Sequence, residues 1–237
     1  NSKKRVMEIT SVLGNMFSVN MSLQSMSETV LSNIKRANIR HEDMIAVNNH
    51  LRQAGRSTKA ELILPLPGET KASFIEGLNK VLDSSASSIT IYTLMMLEGT
   101  EFKNPAFREK HQYQTKYRII PLNFGEYNAE KIFDFEEVGI GTKDLSFEDY
   151  LSLRSIALMV EALYNGKPYN EFFQYAKEND IKFADFLNYL HQNIDKSPPV
   201  VKKILEEFVY ETKNELWDNE VDLINFYKKN ENYQKLI

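Results

Sequence analysis

The sequence predicts an α/β fold, three parallel strands followed by a mostly helical C-terminal part, and three observations carry that reading. Short β-rich runs alternate with amphipathic helical patterns through residues 1–100, as in successive βα units. The run at 60–64 is apolar almost throughout, as a strand covered on both faces would be. From Ser146 onward only helical spacing recurs. The expected division is 1–115 for the α/β part and 116–237 for an extended segment with a helical subdomain.

Each element has a local reason. Residues 3–13 read as a helix with no strand before it, and 17–23 as the first strand. Ser25-Met26-Ser27-Glu28 has the form of a capping box, opening a helix that buries Val30, Leu31 and Ile34. A second helix is expected over 41–54, stopped at Gly55. Strand 60–64 runs into Pro67-Gly68-Glu69-Thr70, and Thr70 is placed to cap a helix with Phe74, Ile75, Leu78, Val81 and Leu82 at helical spacing. Strand 88–94 follows.

Beyond Phe102 the character changes. Residues 108–114 read as a polar connector, and 117–124 and 132–138 as two β-prone runs joined through Gly125-Glu126-Tyr127-Asn128. Gly139 to Thr142 reads as a loop. Ser146 with Asp149 opens a helix that turns Leu153, Ile156, Ala157, Val160 and Leu163 inward. Helical patterns follow at 169–179, 183–193 and 199–227, the last started by Ser197 as a capping hydroxyl with Pro198, and breaking near Asn219.

Composition narrows the function. At 42% hydrophobic, 237 residues can bury one good core and a smaller second one. With 29 Lys and Arg against 33 Asp and Glu the net charge is −4, which argues against a nucleic-acid binder driven by phosphate contacts. The sequence lacks a long apolar run and a signal-peptide pattern, so a cytoplasmic protein without membrane contact is the expectation. There is no cysteine, which excludes disulfides and thiolate-held metal within this chain. His41, His50, His111 and His191 lie far apart without metal-ligand spacing. Gly139-Ile140-Gly141 lacks the third glycine and the strand–helix setting of a dinucleotide loop, and no nucleophile elbow is visible.

Three segments in order resemble the second half of the partial (β/α) barrel of radical S-adenosylmethionine (radical SAM) enzymes. They are Ser22-Leu23-Gln24-Ser25-Met26-Ser27 with Leu31 and Arg36, then Glu61-Leu62-Ile63-Leu64-Pro65-Leu66-Pro67-Gly68-Glu69-Thr70, then Ile91-Tyr92-Thr93-Leu94-Met95-Met96-Leu97-Glu98-Gly99-Thr100. Tyr117-Arg118-Ile119-Ile120-Pro121 and Gly141-Thr142-Lys143-Asp144-Leu145-Ser146 resemble the C-terminal extension of members with an N-terminal cobalamin-binding domain. The resemblance covers residues 1 to about 165. It implies S-adenosylmethionine as cofactor, with Gln24 and Arg36 on its methionine group, Glu61 on the ribose, and Ile63 and Met95 on the adenine. It implies a [4Fe–4S] cluster, and with it cobalamin as a possible second cofactor, in the parent protein only; without cysteine this chain is not expected to bind the cluster or to catalyse. The substrate is an unidentified organic molecule, and the missing N-terminal half of the same protein is the expected partner. An apolar strand edge left open would make the fragment self-associate.

The residue types suit those roles: Arg forks onto carboxylates, a Gln amide both donates and accepts, and Glu accepts from hydroxyls. Each also has a plainer reading. Gln24 could cap the next helix, Arg36 could be a solvated helix residue, Glu61 a surface charge, and Ile63 and Met95 core. A non-catalytic interaction module on an α/β scaffold, or the end of another (β/α)-barrel enzyme, would fit the same elements.

Overall fold

The computed structural model describes Arg5, Glu8, Ile9, Val12, Gly14 and residues 19–236. The helix expected over 3–13 lies for the most part outside the described residues, as do the first two positions of the strand expected over 17–23.

Strands β1 (Val19–Gln24), β2 (Thr58–Leu64) and β3 (Ser88–Thr93) form a parallel sheet in the order β1-β2-β3. Helices α1 (Glu28–Asn33), α2 (His41–Gln53) and α3 (Lys71–Asp83) make the crossovers. The register sets Ser22 beside Glu61 and Glu61 beside Thr90. Along β2, Thr58, Ala60, Leu62 and Leu64 are buried while Lys59, Glu61 and Ile63 are only partly covered. That corrects the expectation of a strand covered on both faces. Among the described residues one face packs on helices and the other carries Ser22, Lys59, Glu61, Thr90 and Tyr92. The covered face feeds the main core, where Leu62, Leu64 and Ile91 meet Met44, Leu78, Val81, Leu153 and Ile156.

Two caps differ from expectation. Ser27, the N-cap residue of α1, makes no side-chain cap bond. Ser25 is drawn away instead, donating to the Glu69 carboxylate at 2.5 Å and accepting from Ser27 N at 3.1 Å. Thr70 caps α3 as expected, accepting from Ser73 N at 3.1 Å in a capping box closed by the Ser73 hydroxyl.

After β3 a helix α4 (Pro105–His111) replaces the expected connector. Asn104 caps it, accepting from Ala106 N at 2.9 Å, and Pro105 occupies the first turn, where a missing N–H costs nothing. Strands β4 (Gln114–Tyr127) and β5 (Glu130–Gly141) then form a long antiparallel hairpin. Its turn is at Asn128 and Ala129, both with positive φ, at the end of the expected connection 125–128, whose first three residues belong to β4. Gly139 and Gly141, read as loop, belong to β5, because the chain beyond β3 continues the pairing. Gly139 N donates to Leu94 O at 2.9 Å and Met96 N to Glu137 O at 2.8 Å.

Helices α5 (Phe147–Leu163), α6 (Asn170–Glu178), α7 (Phe183–Gln192), α8 (Pro199–Asn214), α9 (Glu220–Lys228) and α10 (Asn230–Tyr233) complete the chain. Ser146 caps α5, accepting from Asp149 N at 3.1 Å. Ser197 does not cap α8, whose cap residue is Pro198 and which makes no side-chain cap bond. The expected break falls at Asn219, which caps α9 by accepting from Asp222 N at 2.8 Å. Phe133 and Ile119 of the hairpin bury against Leu223 and Tyr233 in a second core. Among the described residues no helix is long and apolar enough to cross a membrane.

Candidate functional site

Parallel sheets ordinarily bury both faces, so polar side chains on one face need partners or a ligand. On the more open face here they converge. Ser22 Oγ donates to Glu61 Oε2 at 2.6 Å. Lys59 Nζ lies 3.6 Å from Glu61 Oε1 and donates to the Tyr92 hydroxyl at 3.1 Å. The Tyr92 hydrogen bond outweighs partial burial and, with the nearby Glu61 charge, pushes the Lys59 ammonium above its usual range. Lys59 comes from two residues below Glu61 and Tyr92 from beside Ile63, so an ammonium, a carboxylate and two hydroxyls meet near the middle rung. Tyr92 stays 43% exposed, which leaves its ring open to a ligand.

The predicted site residues distribute as follows. Glu61 sits in this row. Ile63 shares its face but packs one step higher, against a small cluster of Val30, Leu66, Leu94 and Met96. Met95 lies two residues past the end of β3, bridged antiparallel to Val138 and 37% exposed. Strand alternation turns Leu94 and Met96 to the side opposite Met95, so it is Met96 that joins Ile63. Gln24 ends β1 at φ 68, beside an irregularity that pairs Ser22 with Glu61 but Gln24 with Leu62. A residue held in the left-handed region next to a bulge is re-aimed relative to its strand. Arg36 is not on the following helix: it lies beyond the end of α1, exposed, with its backbone N bonded to Leu31 O at 2.9 Å. Among the described residues no hydrogen bond joins Gln24 to Arg36.

The segment carrying Met95 is fixed by a buried carboxylate. Glu137 lies 2.8 Å from Lys103 Nζ and 2.6 Å from an Arg108 nitrogen. Burial pushes its pKa up, but the bonds from Lys103, Thr115 and Arg108 outweigh burial and hold it below the usual carboxylate range. At the other strand ends, Glu69 is fully buried and accepts from both Ser25 and Ser73. Burial raises its pKa, against the pull of those two hydrogen bonds. Gly68 takes φ 86 where α1 crosses the turn, with Asn33 Nδ2 donating to Pro67 O at 2.9 Å.

Sequence reasoning passed over Lys59, Tyr92 and Ser22 as site residues. Two-residue periodicity from Glu61 was the signal for Lys59, but the partners on β1 and β3 required the register.

No protein-family model matches this sequence, and neither does any curated protein. Among solved structures the chain is similar to coproporphyrinogen III oxidase from Escherichia coli, a radical SAM enzyme. That similarity has 24% identity and a TM-score of 0.37, over 44% of this chain and 23% of the other. This chain therefore matches about a quarter of that enzyme's length. Among the described residues no group of three or more His, Asp or Glu could hold a metal ion.

Proposed function

We propose that this chain forms the back part of a radical SAM enzyme core and supplies part of an S-adenosylmethionine site. The observation that carries the reading is the polar row Ser22–Glu61–Lys59–Tyr92 on the more open face of a parallel sheet. The order of the three sequence segments and the three parallel strands with their helical crossovers support it.

In this reading the Glu61 carboxylate, already ordered by Ser22, accepts from the ribose hydroxyls with its remaining lone pairs. Gln24 and Arg36 serve the methionine group, Ile63 lies along the adenine, and the backbone of the Met95 segment meets its edge. Arg36 is exposed on a connection and free to swing toward a carboxylate. The cofactor, when cleaved, supplies an organic radical to a substrate; the residues here bind and orient. The cluster that would deliver the electron does not fit this chain, since it needs thiolates and the sequence has none. The cluster half is then a partner segment, and the chain by itself does not catalyse. The motifs at Tyr117 to Pro121 and Gly141 to Ser146 favour a parent with a cobalamin domain.

Equilibrium dialysis with S-adenosylmethionine tests this. Wild-type chain should bind saturably, and Glu61→Gln should weaken binding by about tenfold, the loss of one charge-assisted hydrogen bond. Indistinguishable uptake by wild type and Glu61→Gln would overturn the assignment.

A further inference from the structure

A concavity lies near the starts of β2 and β3, where α2 and α3 finish. Arg52 of α2, Lys177 of α6 and Lys167, just past α5, line one cavity of about 60 Å³. Its volume corresponds to about four water-sized spheres. Tyr164 and Phe173 supply an apolar floor.

Among the described residues the three cations have only neutral partners. Arg52 donates to the Asn49 side-chain oxygen at 2.9 Å. Lys177 Nζ donates to the Asp83 carbonyl at 3.1 Å and to Ser85 Oγ at 2.9 Å. The Lys167 ammonium lies 5.5 Å from the centre of the Tyr164 ring. Among the described residues none of the three forms an ion pair, although the Asp83 carboxylate lies at the rim. Burial, and then the charge of Arg52, pushes the Lys167 ammonium below its usual value, with no carboxylate offsetting it.

The plainer account is that these cations answer helix C-termini. Three helices, α2, α3 and α5, end nearby, each worth roughly half a negative charge. Against three cations, and with the Asp83 carboxylate at the rim, that leaves an excess on the order of half a positive charge. The chain as a whole carries −4, so the excess is not a reflection of composition.

We propose that this concavity binds a tetrahedral oxyanion of the phosphate type. Arg52 supplies the fork, Lys167 and Lys177 act as point charges, and the Ser85 hydroxyl adds a donor. The anion ties the end of α2 to α6 across the start of β3. It acts independently of the polar row on the sheet.

The test compares thermal midpoints in phosphate and in chloride at matched ionic strength and pH, with phosphorus NMR line widths to give affinity. Phosphate should raise the midpoint saturably. Arg52→Gln with Lys167→Gln should weaken affinity at least tenfold while leaving the chloride midpoint in place. Both side chains are exposed, and the single Lys167→Gln variant serves should the double fail to fold. Phenyl phosphate binding more tightly than inorganic phosphate assigns the site to phosphomonoesters; equal affinity assigns it to the free ion. Equal midpoints in phosphate and chloride, or an undiminished phosphate response in the variants, overturns the proposal.

Discussion

The Ser22 hydroxyl lies 2.6 Å from the Glu61 carboxylate, across the β1–β2 interface, on the more open face of the sheet. Neither residue supports the core. Removing the hydroxyl by Ser22→Ala should change stability in urea by less than about 0.5 kcal/mol, because both groups remain solvated and Glu61 keeps Lys59. A larger loss would mean that the pair is structural rather than a ligand contact.

Glu69 tells the opposite story. Its carboxylate is fully buried and held by Ser25 and Ser73. Ser25→Ala should cost about 1–3 kcal/mol, the penalty of a buried acceptor losing a donor. Burial raises the folded pKa above the unfolded one, so ionised Glu69 costs stability fully above its folded pKa. That cost is relieved as pH falls toward the unfolded value of about 4.3. Urea titrations of Ser25→Ala and Glu69→Gln across the acid range check both statements.

Glu137 has the reverse sign. Lys103, Thr115 and Arg108 overcome burial and depress its folded pKa. Its stabilising contribution is complete above the unfolded value, about 4.3, and is lost as pH falls through the depressed folded value. Glu137→Gln should flatten that part of the stability–pH curve, and Arg108→Met should cost about 1.5–3 kcal/mol at neutral pH. Hydrogen exchange of Met96 N, which bonds to Glu137 O, reports whether the segment carrying Met95 loosens at the same time.

His111 is 3% exposed, and neither ring nitrogen has a hydrogen-bond partner among the described groups. Burial, then Lys110 and Lys143, lower its pKa against the smaller pull of Asp144. Stability from the neutral ring is therefore whole above the unfolded value of about 6.5 and declines below it, toward the lowered folded value. His111→Phe should be neutral or stabilising at pH 7, and should remove the decline that begins below about pH 6.5. A calorimetric series over that range decides it.

At Gly68 the backbone takes φ 86, and an added Cβ would come 2.6 Å from Asn33 Nδ2. Gly68→Ala should cost at least about 1 kcal/mol through backbone strain alone, and more as Asn33 is pushed from Pro67. A thermal midpoint equal to wild type would contradict this.

Much of the fold was legible in the chain. Thr70 and Ser146 start helices where their hydroxyls fall, the break expected near Asn219 is there, and strands at 60–64 and 88–94 stand close to where β-rich spacing put them. The misses share a cause. Ser25 left its expected capping box because Glu69, distant by 44 residues, needs its hydroxyl more in a buried setting. Gly139 and Gly141 read as loop, yet pairing with Leu94 and the rest of the hairpin holds them in a strand. The site divides likewise. Glu61 was visible from its own strand; Tyr92 and Ser22 meet it only through the register of three strands, a property of no single segment. Gln24 escapes the period-two rule because the chain bulges before it.

Methyl-selective NMR of the chain, labelled at methionine and isoleucine and titrated with S-adenosylmethionine, reaches the central claim most directly. The account predicts saturable shifts at Ile63 and Met96, which share one cluster beside the polar row, weakened in Glu61→Gln, with the methyls of the hairpin core, such as Ile119 and Ile224, unmoved. Shifts confined to the helical C-terminal part, or none at millimolar cofactor, would contradict a ligand site on the open face of the sheet.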